Sequence, residues 1–323
     1  MGFKKMMGAF GVGGPKVDTV LTEPRRRPGE TLAGEVRITA ADYAVDVQRV
    51  TLGLVTRVEV EHGDGESTGA LEFLRADAAG AFRLEAGADR VVPFELALPW
   101  ETPITEVHGR PLHGTAMGVR TELALARAVD KGDLDPVAVA PLPSQELVLD
   151  AFDRLGFGFK GADVEHGRVH GVAQELPFYQ EIEFFAPPAY AGRIGEVELT
   201  FVADPVGMAV VLEADRRTGL FGSSDQVFRL RIGHDEAASL DWTTELARWL
   251  DDLTGGPSGH GFEHAHHHGH HGHHGHDGHE DRGRGPGWAG VAAGAAAGVA
   301  VGVAGGMIAD EVLEEVFEDD EED

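Results

Sequence analysis

Val50-Thr51-Leu52-Gly53-Leu54-Val55-Thr56-Arg57-Val58-Glu59-Val60 is the stretch on which the fold turns. Val50, Leu52, Leu54, Val58 and Val60 are interleaved with Thr51, Gly53, Arg57 and Glu59. A period of two is what a pleated strand with one buried and one wet face requires. The same period recurs outward from it in Val92, Phe94, Leu96, Leu98; in Leu123, Leu125, Val129; in Val197, Leu199, Phe201; and in Phe228, Leu230, Ile232. Pro28-Gly29, Gly63-Asp64-Gly65, Ala78-Ala79-Gly80, Asp204-Pro205 and Arg217-Thr218-Gly219 supply turn chemistry between the runs. A parallel sheet needs helical crossovers between its strands, and no stretch between these runs supplies one. Alternating strands joined by turns predict antiparallel β-sandwiches.

Two short helices are expected. One follows Pro143, with Ser144 as its N-cap, Val148, Ala151, Phe152 and Leu155 on one face, and Gly156 as its stop. The other starts near Asp241, where Trp242, Leu246, Trp249, Leu250 and Leu253 fall at helical spacing before Gly255-Gly256-Pro257. That aromatic stripe is read as core packing against the second sheet.

The chain has 323 residues, enough for about two domains. It holds no cysteine, which excludes a disulfide scaffold, a thiolate metal site and a cysteine nucleophile. Formal net charge is −28, and ten of the acids lie in residues 310–323, leaving −18 over residues 1–309. An acidic body argues against general nucleic-acid binding, which depends on Lys and Arg neutralising phosphates. Met1 to Gly14 holds no apolar run of signal-peptide length, and Met6 stands where a myristoylation motif wants Ser or Thr. A cytoplasmic location is expected, with membrane association through the tail left open.

After Gly256 the composition changes. Gly259 to Glu280 holds eleven of the seventeen histidines, interleaved with glycine, and is expected to be a disordered linker because nothing in it can form a core. His266, His267, His268, His270, His271, His273, His274 and His276 offer overlapping imidazole sets for weak nickel or zinc binding. A glycine-rich chain must lose entropy to close on a metal, so selectivity there is expected to be poor. From Trp288 to Ala309 an uncharged run places Gly290, Gly294, Gly298, Gly302 and Gly306 four apart. On a helix this is a glycine seam against which another helix can approach closely. Its length as a helix, about 33 Å, matches a bilayer core of about 30 Å. Against that, glycine costs about 1 kcal/mol relative to alanine inside a helix. Membrane insertion, self-association and a plain Ala/Gly spacer therefore all stay open for this segment.

Several short stretches together resemble a known family. Pro28-Gly29-Glu30 with Gly34 and Val36 looks like the first hairpin of arrestin-like domains. Asp133-Leu134-Asp135-Pro136, Pro141-Leu142-Pro143 and Leu155-Gly156-Phe157 are similar to the domain junction of bacterial sporulation-control proteins of the arrestin-like superfamily. Leu176 to Phe184, Leu212 to Arg217 and Asp241-Trp242 extend the likeness over residues 3 to 253. The resemblance implies an all-β fold of two tandem arrestin-like (immunoglobulin-like) antiparallel sandwiches, and a regulatory role without chemistry of its own.

The organisation expected is a first sandwich over residues 1–140 and a second, with a terminal helix, over 141–255. The His/Gly linker then covers 256–287, the glycine-zipper segment 288–309 and the acidic tail 310–323. No catalytic constellation is read. Ser144, Ser223, Ser224, Ser239 and Ser258 lie in no nucleophile elbow, and no phosphate loop is present. Glu181 with Glu183, and Glu213 with Asp215, would each share a strand face, as a glycosidase pair needs, but read as solvated acids or as partners of Arg216 or Arg231. His166 and His170 flank Gly167 in a β-rich stretch, which is no helical metal pair. The function expected is regulatory protein–protein binding, with no cofactor and unnamed regulatory proteins as partners. The alternative is metal handling by the His tract.

Overall fold

The computed structural model describes residues 14–62, 65–126, 130–216 and 226–253, which fall within one compact unit. In chain order the elements are β1 (Lys16–Leu21), β2 (Arg25–Arg26), β3 (Thr31–Thr39), β4 (Val45–His62), β5 (Gly65–Ala79), β6 (Phe82–Leu84) and β7 (Asp89–Ala97). There follow β8 (Glu106–Val107), β9 (Arg110–Pro111), β10 (Met117–Leu125), β11 (Lys131–Pro136), β12 (Ala138–Val139) and helix α1 (Pro143–Leu155). The second half comprises β13 (Gly158–His166), β14 (Phe178–Phe185), β15 (Ile194–Ala203), β16 (Gly207–Arg216), β17 (Gln226–Gly233), α2 (His234–Ala237) and α3 (Trp242–Leu253).

The fold is the all-β sandwich class read from the alternation, in the tandem form that the resemblance implied. In the first half β1, β3 and β7 form one antiparallel sheet, facing a second in which β11, β10, β4 and β5 lie side by side. Leu32, Val36 and Ile38 of β3 and Val92, Phe94 and Leu96 of β7 are buried, as are Val50, Leu52 and Leu54 of β4 and Val119 and Leu123 of β10. The hydroxyls of Thr19 and Thr121, 3% and 0% exposed, meet at 2.6 Å inside this core, and Thr19 N donates to Asp133 Oδ2 at 2.7 Å. Buried polar groups paired in this way avoid the cost of lost solvation.

The second face of β4 is not simply wet. Thr51 and Val55 are 4% and 2% exposed. Between β5, β4 and β10, Arg75 and Arg120 both reach Glu72 and Glu122, with Arg75 to Glu72 at 2.8 Å and Arg120 to Glu122 at 2.9 Å. The stems of long charged side chains roof the strand while their heads stay polar. Alternation marks which residues point inward; it cannot show that neighbouring strands cover the outward ones.

Sheet pairing runs on through the molecule. β4 meets β13 in a parallel bridge, Glu59 opposite Glu165, and β13 to β17 continue as an antiparallel meander. Ala162 N donates to the His113 carbonyl at 3.0 Å across the same seam. Gly114 has φ +95°, and a Cβ there would overlap the carbonyl oxygen of Ala162, so only glycine suits the position. The division expected at 140/141 lies in the segment between β12 and α1.

Both expected helices form. The N-cap of α1 is Leu142 rather than Ser144, because Pro143 occupies the first helical position, where its fixed φ and missing N–H fit best. Gln145 Oε1 accepts from Leu142 N at 2.8 Å, and Gly156, at φ 82°, ends the helix. In α3, Trp242, Leu246, Trp249, Leu250 and Leu253 are all buried. Asp241 caps it, accepting from Thr244 N at 3.2 Å and Thr244 Oγ1 at 2.7 Å. Phe152 of α1 contacts Phe184 with ring centroids 4.6 Å apart, and Trp249 of α3 stacks on Phe228 at 5.7 Å and 7°. The two helices thus pack on the apolar face of the β13–β17 sheet.

Candidate interaction surface

Register decides what stands on the other face of that sheet. Asp163 of β13 is opposite Glu181 of β14, which is opposite Thr200 of β15. Two residues along, Glu183 is opposite Glu198, which is opposite Glu213 of β16. Side chains two apart on a strand, and directly opposed residues, share a face. Acids from β13 to β16 are thereby gathered into two adjoining rows. Lys160 Nζ reaches into them, 3.1 Å from Glu183 and 2.7 Å from Glu196. Thr200, Val202, Ala209 and Val211 share the face and are buried, so the acids stand in partly desolvated surroundings.

The carboxyl groups respond accordingly. Burial, reinforced by Glu198, Asp163, Glu165 and Glu213, pushes Glu181 up to about 9. Burial with Glu165, Glu183, Glu59 and Glu198 nearby raises Asp163 to about 7, and its Oδ1 is buried with no hydrogen-bond partner among the described residues. Glu198 is raised to about 7 by burial and by Glu213, Glu183 and Glu196. Like charges opposed across strands are destabilising, so this face costs stability whenever it is ionised.

A second cluster joins the two halves. The Glu101 carboxylate, from the loop after β7, accepts from Glu175 N at 2.8 Å and Leu176 N at 2.7 Å. Gln180 takes both backbone groups of Ile104, N–H at 3.0 Å and C=O at 2.7 Å. Gln174 Nε2 fastens the loop before β14, donating to the carbonyls of Leu176 at 2.8 Å and Phe178 at 2.7 Å. Trp100 lies along the Gly29 backbone and stacks on His234 at 5.7 Å. His234 Nε2 donates to the Asp204 carbonyl at 2.9 Å, and its Nδ1 meets the Ser144 hydroxyl at 2.8 Å. The cavity left here is about 20 Å³, room for about one water and no organic ligand. The cluster is a clasp and offers no substrate site.

The family model described as SpoOM protein matches residues 3–218, two thirds of the chain. This chain belongs to the SpoOM family. It is 31% identical over 260 residues to the sporulation-control protein spo0M of Bacillus subtilis (strain 168), covering 78% of this chain and 96% of that one. The crystal structure of Spo0M from Bacillus subtilis superposes with a TM-score of 0.66 at 29% identity, over 75% of this chain and all of that one.

Within this SpoOM-family fold, the residues singled out in the sequence have different fates. Glu181 and Glu183 do share a face, but Arg231 pairs with Asp204, and it is Lys160 that meets Glu183. Ser144 is drawn into the clasp. His166 ends β13 and His170 lies in the turn beyond it, and among the described residues no group of His, Asp or Glu is arranged to hold a metal ion. No described helix is long and apolar enough to cross a membrane. Ser223, Ser224 and Ser258 lie outside the described residues, as do His266, His267, His268, His270, His271, His273, His274 and His276. So do Gly290, Gly294, Gly298, Gly302 and Gly306, and with them the linker, zipper and acidic-tail segments. Sequence reasoning missed Asp163 and Glu198. Their spacing of two from Glu165 and Glu196 was visible, but the register that opposes them to Glu181 and Glu183 was not.

Proposed function

We propose that this SpoOM-family chain is a non-enzymatic regulatory protein that works by binding another protein along the outer edge of β17. The regulatory class is carried over from the relative named for sporulation control. The observation that carries the binding mode is the place of β17 at the end of the sheet: it pairs with β16 alone, over eight residues from Gln226 to Gly233, and no described strand lies beyond it. An unpaired edge presents a row of N–H and C=O groups, to which an extended segment of a partner adds as a further strand. Arg229 and Arg231 stand exposed along it, which discourages indiscriminate edge-to-edge association and favours a partner strand bearing acids. A cytoplasmic site of action fits the cysteine-free composition.

Photo-crosslinking in the native cell tests this reading. A benzophenone side chain replacing Val227 or Arg229 is expected to give one discrete protein adduct. The same group at Glu95 on β7 gives none. Identical adducts at both places, or none at β17, would sink the proposal.

A further inference from the structure

We propose that the cleft walled by Arg25, Arg26 and Arg27 is a binding site for a diphosphate-type anion. The cleft is open, about 480 Å³, and Thr22, Glu23 and Glu30 also line it. That volume lies in the range of small-molecule sites. Three consecutive arginines meet there in a chain whose formal charge is −28. Their backbone is held in place rather than left as a loose loop: Ala138 N donates to the Pro24 carbonyl and Ala140 N to the Arg26 carbonyl, each at 2.8 Å, so β12 fixes β2.

The guanidinium groups are only partly used. Arg25 gives Nε to Glu106 at 2.5 Å, and its two terminal nitrogens have no partner among the described residues. Arg27 gives one hydrogen of Nη2 to Glu146 at 3.1 Å, leaving the other Nη2 hydrogen paired with that of Nε or Nη1. Arg26 is more committed, with Nε on the Thr31 carbonyl at 3.0 Å and Nη1 on Glu23 and the Arg25 carbonyl. Two forks of paired N–H groups thus remain, one on Arg25 and one on Arg27. Such forks match the oxygens of a phosphoryl group bidentately, where a lysine would offer only a point charge. The carboxylates already present are single charges in ion pairs of a partly exposed kind, which contribute little. A phosphoryl group brings nearly two charges and three acceptor oxygens. Two linked phosphoryl groups therefore hold both forks at once, which neither Glu106 nor Glu146 does.

The test is calorimetric titration of the full chain with pyrophosphate and, in parallel, with ADP, free of metal, at about 0.15 M salt and pH 8, where histidine is neutral and the His-rich tract attracts no anion. Saturable one-site binding is expected with at least one of the two, weakened tenfold or more in the R25Q/R27Q variant. Tighter binding of ADP assigns a nucleotide diphosphate, and equal or tighter binding of pyrophosphate assigns the free anion. R25K, which keeps the charge and loses the fork, is expected to weaken binding, whereas R37Q on β3 leaves it unchanged. Thermal unfolding shows that each variant is folded, and R25Q alone replaces the double variant if that one is not. No saturable binding to either anion, an unaltered affinity in the folded R25Q protein, or an equal loss in R37Q would each overturn the proposal.

Discussion

Glu181 is the residue whose chemistry departs furthest from the ordinary. Its carboxyl titrates near 9 in the folded chain against an ordinary 4.5. Between those values the folded chain keeps a proton that the unfolded chain has released. Stability therefore falls as pH rises from about 4.5 towards about 9, and levels off above it. Asp163 and Glu198, both raised to about 7, act with the same sign. Glutamine at 181 mimics the protonated form at every pH. In urea unfolding at pH 8, E181Q is expected to be more stable than the wild type by about 1–3 kcal/mol, with the difference vanishing near pH 4.5. A wild type at least as stable at pH 8 would contradict the half-buried placement. One strand of this cluster was legible in the sequence, as acids two apart. The opposition across strands was not, because it is set by turns and bulges, among them the register shifts in β13 and β15, that no local pattern encodes.

At the scale of elements, punctuation was more legible than detail. Pro143 and Gly156 bracket α1, and the five apolar residues of α3 all turn inward, because helix boundaries and apolar periodicity are local properties. The cap of α1 was not legible: Ser144 has the right chemistry, but its hydroxyl goes to His234, ninety residues away, and the N-cap falls on Leu142. Gln145 compensates by accepting from Leu142 N. Gln145→Ala leaves that buried N–H without an acceptor and is expected to lower stability by about 1–3 kcal/mol, read from the thermal midpoint. An unchanged midpoint would show that another group serves the cap. The inward face of β4 was equally plain from alternation, whereas the roof of Arg75, Arg120, Glu72 and Glu122 over its other face needed three strands to be side by side.

At the scale of the whole molecule, the two halves are fastened in two ways: the sheet runs from β4 into β13, and Glu101, Gln180 and Trp100 clasp the loops beside it. The Glu101 and Gln180 contacts join residues about 75 positions apart, which is why the tandem architecture could be read from the sequence and its coupling could not. The intact chain is expected to unfold in one calorimetric transition and E101A/Q180A in two; a single transition in the double variant would mean that the sheet alone couples the halves. A scaffold coupled in this way presents β17 at the far end of the sheet path, where the proposed partner would add its strand. The most direct measurement is amide hydrogen exchange on the full chain, alone and in complex with the partner captured by crosslinking. Slowed exchange concentrated in Gln226–Gly233 is the result expected. Protection confined to other strands, with β17 exchanging as it does in the free chain, would contradict it.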